Sequence, residues 1–217
     1  MRDSITSKEK VLKKIRKALT TKSTREIGDV DKTSEIFVTS EEPIEIQFAQ
    51  NFSAADGKFI FCESEEEFIE SIDFFIKDNE WENIFCVEPA IKALLVKGDI
   101  KFSDKEEDFL KTDIGLTLCE NLIARTGSVV VSSKQLSGRR LPVFANFHVV
   151  IAYTSQLVYN VNDSLKQIKE RYTNNLPSMI STITGPSKTA DIEKTLVQGA
   201  HGPREIILFL IDDFQPE

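Results

Sequence analysis

The chain has 217 residues, enough for one large domain or two small ones, and its 41% hydrophobic and 29% charged composition is ordinary for a globular protein. Twenty-seven basic against thirty-five acidic side chains give a formal net charge of −8. This argues against nucleic acid as a main partner, because neutralising phosphates requires clustered Lys and Arg. The longest apolar runs fall far short of the ~20 residues that a membrane-spanning helix needs, so we expect no membrane partner.

The cysteines and the start of the sequence indicate the compartment. Cys62, Cys86 and Cys119 lie far apart and show no CxxC or Cys/His spacing typical of zinc or an iron–sulfur cluster. The opening stretch "MRDSITSKEK" contains no apolar segment of the signal-peptide kind. We therefore expect Cys62 and Cys86 to be buried thiols, the compartment to be a reducing cytoplasm, and this chain to hold no metal or cofactor.

The first predicted element is an amphipathic helix over residues 7–19, with Val11, Leu12 and Ile15 on one face. We expect it to dock, because its apolar stripe needs burial. The polar stretch "TTKSTREIGDVDKTSE" follows it and indicates a loop or tether. The predicted organisation is an N-terminal helical arm and connecting segment over residues 1–57, and a main domain over 58–217.

From residue 58 onward, strand-like and helix-like patterns alternate. Ser64 and Glu67 form a capping box ahead of one helix, and two or three short strands broken at Gly115 and Gly127 are expected over residues 113–132. The other predicted strands are "KFIFCE", "NIFCVE", "FHVVIAY", "SMISTIT" and "REIILFLID", and further helices are predicted around 90–96 and 162–172. This alternation, with continuous apolar strands, predicts an α/β fold with a mostly parallel sheet.

The stretch "TGPSKTADIE", residues 184–193, resembles a phosphate-binding loop only superficially. A Walker-type loop would need Gly where the chain has Thr182 and Ser187, ahead of Lys188 and Thr189, so we reject a nucleotide site of that kind. The predicted local structure is a strand ending at Thr184, a Gly–Pro turn, and a short helix beginning near Thr189.

Two interpretations of this turn remain open on spacing alone. The helix start and Lys188 would attract an anion at the edge of the sheet. Alternatively, Ser187 or Thr189 simply caps the helix, while Asp191 and Glu193 face the positive end of its dipole.

The only histidines are His148 and His201. His148 lies within "FHVVIAY" and is expected to be a core histidine with satisfied hydrogen bonds. His201 lies in the turn "GAHGPRE", where it is either a general acid or base beside Arg204 or a structural residue that bonds a nearby carbonyl. The stretch "ARTGS", residues 124–128, is by itself a hairpin signal.

Three stretches together, "ARTGSVVVSS", "FHVVIAYTSQLV" and "TGPSKTADIEKTLVQGAHGPREIILFLID", resemble the LUD domain of the lactate-utilization protein C (YkgG-like) family. The resemblance implies a three-layer α/β/α fold similar to the ribose-5-phosphate isomerase, glucosamine-phosphate deaminase and CoA-transferase group. It also implies a role in oxidising L-lactate to pyruvate beside iron–sulfur oxidoreductase subunits, with the clusters in those partners. A small-molecule anion is the expected ligand, and a homo-oligomer is compatible with the pattern.

The family pattern guides the assignment of site residues. We assign catalytic roles to His201, Asp191 and Glu193, and ligand-binding roles to Thr126, Gly127, Ser128, Gly185, Ser187, Lys188, Thr189, Gly202 and Arg204. We expect the turns at Gly127, Gly185 and Gly202 to meet at the carboxyl ends of the parallel strands. The chain departs from the family at Arg125, where an acidic residue usually precedes the Thr–Gly turn.

Fold does not fix function, so a second hypothesis stands beside the first. The same crevice would suit a stand-alone isomerase, CoA-transferase or folate cyclo-ligase-like enzyme acting on a phosphorylated or carboxylate small molecule. The sequence leaves open whether this chain is itself catalytic or is a component of a lactate-oxidising complex.

Overall fold

The computed structural model describes residues 7–20, 42–190, 196–199 and 201–214. Contacts divide the chain into two units, Met1–Thr39 and Ser40–Glu217. In the first unit the described element is helix α1 (Ser7–Thr20), as predicted. Val11, Leu12 and Ile15 on α1 are exposed, and the docking of this helix stays a prediction.

The second unit begins earlier than residue 58, because it includes a helix that the sequence pattern did not reveal, α2 (Ile44–Ala54). The helices that follow are α3 (Glu65–Asp78), α4 (Pro89–Lys97), α5 (Leu141–Phe144) and α6 (Val161–Arg171). The strands are β1 (Lys58–Cys62), β2 (Ile84–Cys86), β3 (Ile114–Leu118), β4 (Asn121–Ile123), β5 (Ser128–Ser132), β6 (Phe147–Tyr153), β7 (Leu157–Val158), β8 (Ile180–Ile183), β9 (Lys188–Ala190), β10 (Leu196–Gln198) and β11 (Glu205–Ile211).

The main sheet has the order β1-β11-β6-β3-β2, and all of its neighbouring strands are parallel. A second sheet has the order β7-β4-β5-β8 and pairs β5 antiparallel with both β4 and β8. Strands β9 and β10 form a separate antiparallel hairpin. The α/β class and the mostly parallel sheet predicted from the sequence are thereby confirmed.

Successive side chains of a strand point to opposite faces of its sheet. Each strand of the main sheet therefore contributes to the packing on both of its faces. In β11, Ile207 and Phe209 pack with the buried residues of α3 and α4, while Leu208 and Leu210 pack with α2 and the second sheet. The outer face of the second sheet is covered by α6 through Ile168. The second sheet therefore lies between the main sheet and α6.

The structure differs from two local predictions. The capping box before α3 forms in altered shape: Ser64 Oγ accepts from the Glu67 amide at 3.2 Å, while Glu67 Oε2 accepts from the Glu63 amide rather than from Ser64. The strand break predicted at Gly115 was wrong, since Gly115 lies inside β3. Its lack of a side chain makes room for Leu141, whose Cδ1 would lie 2.7 Å from a Cβ at this position.

Candidate functional site

The structure brings together the three glycine turns that the sequence singled out. They comprise residues 126–128, 184–188 and 201–204, and we call this cluster the three-turn site. It gathers all of the predicted ligand-binding residues except Thr189, which follows in β9.

Hydroxyl groups join the first turn to the second. Ser128 Oγ lies 2.7 Å from Thr126 Oγ1 and 2.8 Å from Thr184 Oγ1. The first turn closes the hairpin between β4 and β5, as predicted, and Gly127 adopts the left-handed conformation there (φ 57°). Three hydroxyls from two turns therefore form one hydrogen-bonded chain.

Both of these turns rest against the end of α2. A Cβ at Gly127 would lie 2.2 Å from the amide nitrogen of Phe52, and a Cβ at Gly185 (φ 73°) would lie 1.9 Å from the carbonyl oxygen of Ala55. Asn51 Nδ2 also donates to the Ala124 carbonyl at 2.8 Å, just before the first turn. Close backbone approach, together with positive φ, explains why both turns use glycine.

The third turn packs on the second. The Ser187 amide donates to the Pro203 carbonyl at 3.0 Å, and the Gly199 amide donates to the Ser187 carbonyl at 2.9 Å. Gly202 faces the Ser187 side chain, because a Cβ there would lie 3.0 Å from the serine Cβ. The Arg204 amide donates to the Asn146 carbonyl at 2.8 Å, which anchors the turn to the residue before β6.

The charges of the site are partly compensated. Lys188 forms an ion pair with Asp56, and Lys58 pairs with Glu205 at the first residue of β11. Arg204 is exposed and forms no ion pair with another residue in the described ranges. Arg204 and the hydroxyls of Thr126 and Ser187 are groups suited to an anion, whereas Ser128 is 1% exposed and its hydroxyl is already bonded to Thr126 and Thr184.

The site lies at the amino end of the main sheet, not at the carboxyl end that we expected. The third turn directly precedes β11, and the Ala55–Asp56 corner precedes β1. The expectation failed because the second turn follows β8, which belongs to the second sheet. The direction of the main-sheet strands therefore does not govern where the turn falls.

The helix predicted near Thr189 was also wrong. Residues Lys188–Ala190 form β9, in which Thr189 pairs with Val197 of β10. A helix start at Thr189 therefore provides neither the anion-binding nor the capping role considered above. Asp191 and Glu193, predicted as catalytic, lie outside the described residues.

The two histidines differ sharply in environment. His201 is exposed in the third turn, beside the residues that contact Ser187. His148 is fully buried in β6, where its Nε2 lies 2.8 Å from Thr117 Oγ1 and its Nδ1 has no hydrogen-bond partner. The prediction of a core histidine was right, but only one of its two nitrogens is satisfied. Burial lowers the pKa of His148 to about 4.

The three cysteines are buried and lie in different parts of the fold. All three are free and buried, and Cys62 and Cys86 lie on the opposite edge strands of the main sheet. Burial raises the pKa of Cys62 to about 11 and that of Cys86 to about 12. In the described ranges, no three His, Cys, Asp or Glu side chains group as metal ligands would.

The sequence interpretation missed the contribution of α2, whose end supports the site through Asn51, Ala55 and Asp56. A signal was present, because Phe48 and Phe52 are four residues apart and both are fully buried in the helix. The following "AADG" also marks a helix end and turn ahead of β1.

The chain and its fold are similar to known proteins. Residues 46–211 match the family model of the LUD domain. The structure is similar to the crystal structure of a DUF162 family protein from Deinococcus radiodurans, with a TM-score of 0.57 and 19% sequence identity. That alignment covers 80% of this chain and 99% of the other and supports the likeness in fold.

Curated relatives are similar over part of their length. The chain is 35% identical over 115 residues to Lactate utilization protein C 1 of Bacillus mycoides, covering 51% of this chain and 49% of that protein. It is 33% identical over 130 residues to Lactate utilization protein C of Shouchella clausii, covering 59% and 56%. The protein of that name from Bacillus subtilis is 33% identical over 117 residues. The chain thus spans about half the length of these relatives. In the described part of the chain, no helix is long and apolar enough to cross a bilayer.

Proposed function

Because the chain belongs to the LUD domain family, we propose that it is a component of L-lactate utilization and binds a small anionic ligand at the three-turn site. The observation that carries the proposal is the convergence of residues 126–128, 184–188 and 201–204, which are far apart in sequence. The relatives named Lactate utilization protein C support the choice of process.

In this proposal the hydroxyls of Thr126 and Ser187 and the guanidinium of Arg204 hold a carboxylate, and Ser128 orients the Thr126 hydroxyl through their hydrogen bond. Charge-assisted hydrogen bonds from an arginine suit a planar carboxylate, which accepts two of them in parallel. We propose that His201, which is exposed in the third turn, transfers a proton to or from the bound ligand. Asp191 and Glu193 remain proposed catalytic partners of His201.

Electron transfer is proposed to belong to other subunits. Oxidation of a hydroxy acid to a keto acid releases two electrons, and the buried cysteines of this chain are poorly suited to ligating a cluster. We propose that iron–sulfur oxidoreductase subunits accept these electrons in a cytoplasmic complex. In that complex this chain binds and orients the anion.

The test is genetic complementation combined with stability measurements. Deleting the gene should impair growth on L-lactate, and the wild-type chain should restore it. His201→Ala should fail to restore growth, although its free energy of unfolding should stay within about 0.5 kcal/mol of wild type, as is usual for an exposed residue. Lys166→Ala, on the surface of α6, is the matched control and should restore growth.

Normal growth of the deletion strain, with no paralogue to replace the gene, would contradict the proposal. A loss of stability of 1 kcal/mol or more in His201→Ala, roughly several degrees in Tm for a domain of this size, would instead make His201 a structural support for β11. Turnover of sugar phosphates, CoA esters or folates by the purified chain alone would favour the stand-alone enzyme.

A further inference from the structure

The two edges of the main sheet differ in how their backbone groups are paired. At the edge formed by β2, the Cys86 amide donates to the Ser103 carbonyl at 3.0 Å, and the Ser103 amide donates to the Ile84 carbonyl at 2.9 Å. On the outer side of β1, which we call the β1 edge, no strand of the described ranges pairs with the sheet. An open strand edge offers its backbone groups to a strand of another chain. The β1 edge is therefore where a further strand can join the main sheet.

The outward-facing backbone groups of the β1 edge belong to Phe59 and Phe61. The Cys62 carbonyl accepts from the Asp212 amide at 2.9 Å, on the side of β11. Because the backbone groups of successive residues in a strand point to opposite sides, those of Ile60 also face β11, whereas those of Phe59 and Phe61 face away from it. Across the described residues, these outward groups form no backbone hydrogen bond. Two N–H and two C=O groups are thus available for a second strand.

Large apolar side chains are exposed on both faces of the sheet beside the β1 edge. On the face covered by α3, Phe74 is 65% exposed and lines a hollow with Ile60. On the face covered by α2, Ile46 and Phe61 line another hollow and are 49% and 45% exposed. Exposed apolar side chains that cluster beside an open strand are typical of an interaction surface.

The ends of the free stretch of β1 determine how a second strand can align with it. The Gly57 amide donates to the Phe52 carbonyl at 3.0 Å, and the Glu63 amide donates to Glu67 Oε2 at 2.6 Å. Neither amide is therefore free to bond a second strand. The free stretch between them is centred on Ile60.

We propose that the β1 edge pairs antiparallel with the β1 edge of a second copy of this chain, about a two-fold axis that passes through the sheet at Ile60. The two five-stranded sheets then form one continuous sheet. Phe59 of each copy lies opposite Phe61 of the other, and each such pair exchanges two backbone hydrogen bonds. The two Ile60 residues form a non-hydrogen-bonded pair between them. This association does not depend on the anion proposed at the three-turn site.

The position of α3 suits a second copy as the occupant. Helix α3 packs on both β1 and β11. Neighbouring strands lie about 4.8 Å apart, so the two α3 helices on one continuous sheet would lie about 10 Å apart, the usual distance between packed helices. Phe74, exposed in the single chain, then fills the space between the two helices.

The charges at the two ends of β1 favour the antiparallel direction. Lys58, at the amino end, is half exposed beyond its ion pair with Glu205. Glu63 and Glu67 lie at the carboxyl end, where both are exposed. Antiparallel pairing brings each Lys58 toward the acidic end of the other strand, whereas parallel pairing would bring like charges together.

The first test measures the association of the full chain by sedimentation equilibrium. The wild-type chain should dimerise with a micromolar Kd. Phe74→Asp should weaken the dimer about tenfold or more, because it places an unpaired charge between the two helices. Leu165→Asp makes a similar change at an exposed position of α6 and should dimerise as wild type does. A wild-type chain that stays monomeric at micromolar concentrations, which would leave the β1 edge to a different protein, would overturn the proposal, as would equal weakening by both variants.

Disulfide cross-linking tests the alignment of the two strands. In a non-hydrogen-bonded antiparallel pair the Cα atoms lie about 4.5 Å apart, within the range of a disulfide. Ile60→Cys in a Cys62→Ala background should therefore give a cross-linked dimer on a non-reducing gel after mild oxidation. Phe61→Cys in the same background should not, because the two residues at position 61 are offset along the strands by more than the ~7 Å limit. Equal cross-linking by the two variants, or none by Ile60→Cys in a chain that circular dichroism shows to be folded, would overturn the proposal.

Discussion

His148 places an uncharged imidazole in the centre of the second unit, between Gly115 of β3 and Ile206 of β11. Burial of the ring disfavours its charged form, so the pKa of about 4 lies well below the value near 6.5 expected in the unfolded chain. Between about pH 4 and pH 6.5, His148 therefore binds a proton in the unfolded chain but not in the folded protein.

This difference makes stability depend on pH in a defined direction. Above about pH 6.5 both states are neutral at His148 and its contribution is constant, whereas below it the unfolded chain gains a proton and is favoured. Between pH 7 and pH 5 the free energy of unfolding should fall by about 2 kcal/mol more in wild type than in His148→Gln, which does not titrate. Urea unfolding at both pH values measures this, and parallel losses in the two proteins would show that His148 is not the responsible group.

At the scale of elements, α2 acts as a support on which two turns of the three-turn site rest. Gly185→Ala should destabilise the protein by more than 2 kcal/mol, because the added methyl group meets the Ala55 carbonyl oxygen at 1.9 Å and the left-handed φ adds strain. Urea unfolding would measure the loss.

The chain offers a matched control for this prediction. Gly138 also has a left-handed φ (60°), but a Cβ there would meet no atom closer than 3.8 Å. Gly138→Ala should therefore cost only about 1 kcal/mol, from strain alone. If the two variants lost equal stability, the contact between the second turn and α2 would not be what requires glycine at 185.

Some strands could be predicted from the sequence and others could not. Strands β6 and β11 were predictable because they contain unbroken apolar runs of five residues (149–153) and six residues (206–211), which are typical of buried strands in an α/β fold. Strand β9 was not, because "SKTAD" has the composition of a helix start, and its pairing with β10 depends on a partner further along the chain. The three turns were identified from their glycines, but their position at the amino edge depends on the second sheet, which no local pattern indicates.

At the scale of the whole molecule, the buried core of the described residues belongs to the second unit. Among the described residues, every buried hydrophobic side chain lies between Phe48 and Ile211. A variant lacking residues 1–39 should therefore unfold cooperatively, with a Tm within a few degrees of the full chain. Circular dichroism melting tests this, and loss of the cooperative transition would show that the first unit contributes to the fold of the second.

The order of the main sheet has a consequence for how the protein is made. Strand β11, the latest in the chain, lies between β1 and β6 and pairs with both. Until the ribosome has delivered it, β1 has no neighbour in the sheet, and two apolar strand edges stay open to other nascent chains. A transcript cut short before residue 205 would therefore yield a product that cannot close its sheet and becomes a substrate for chaperones and proteases.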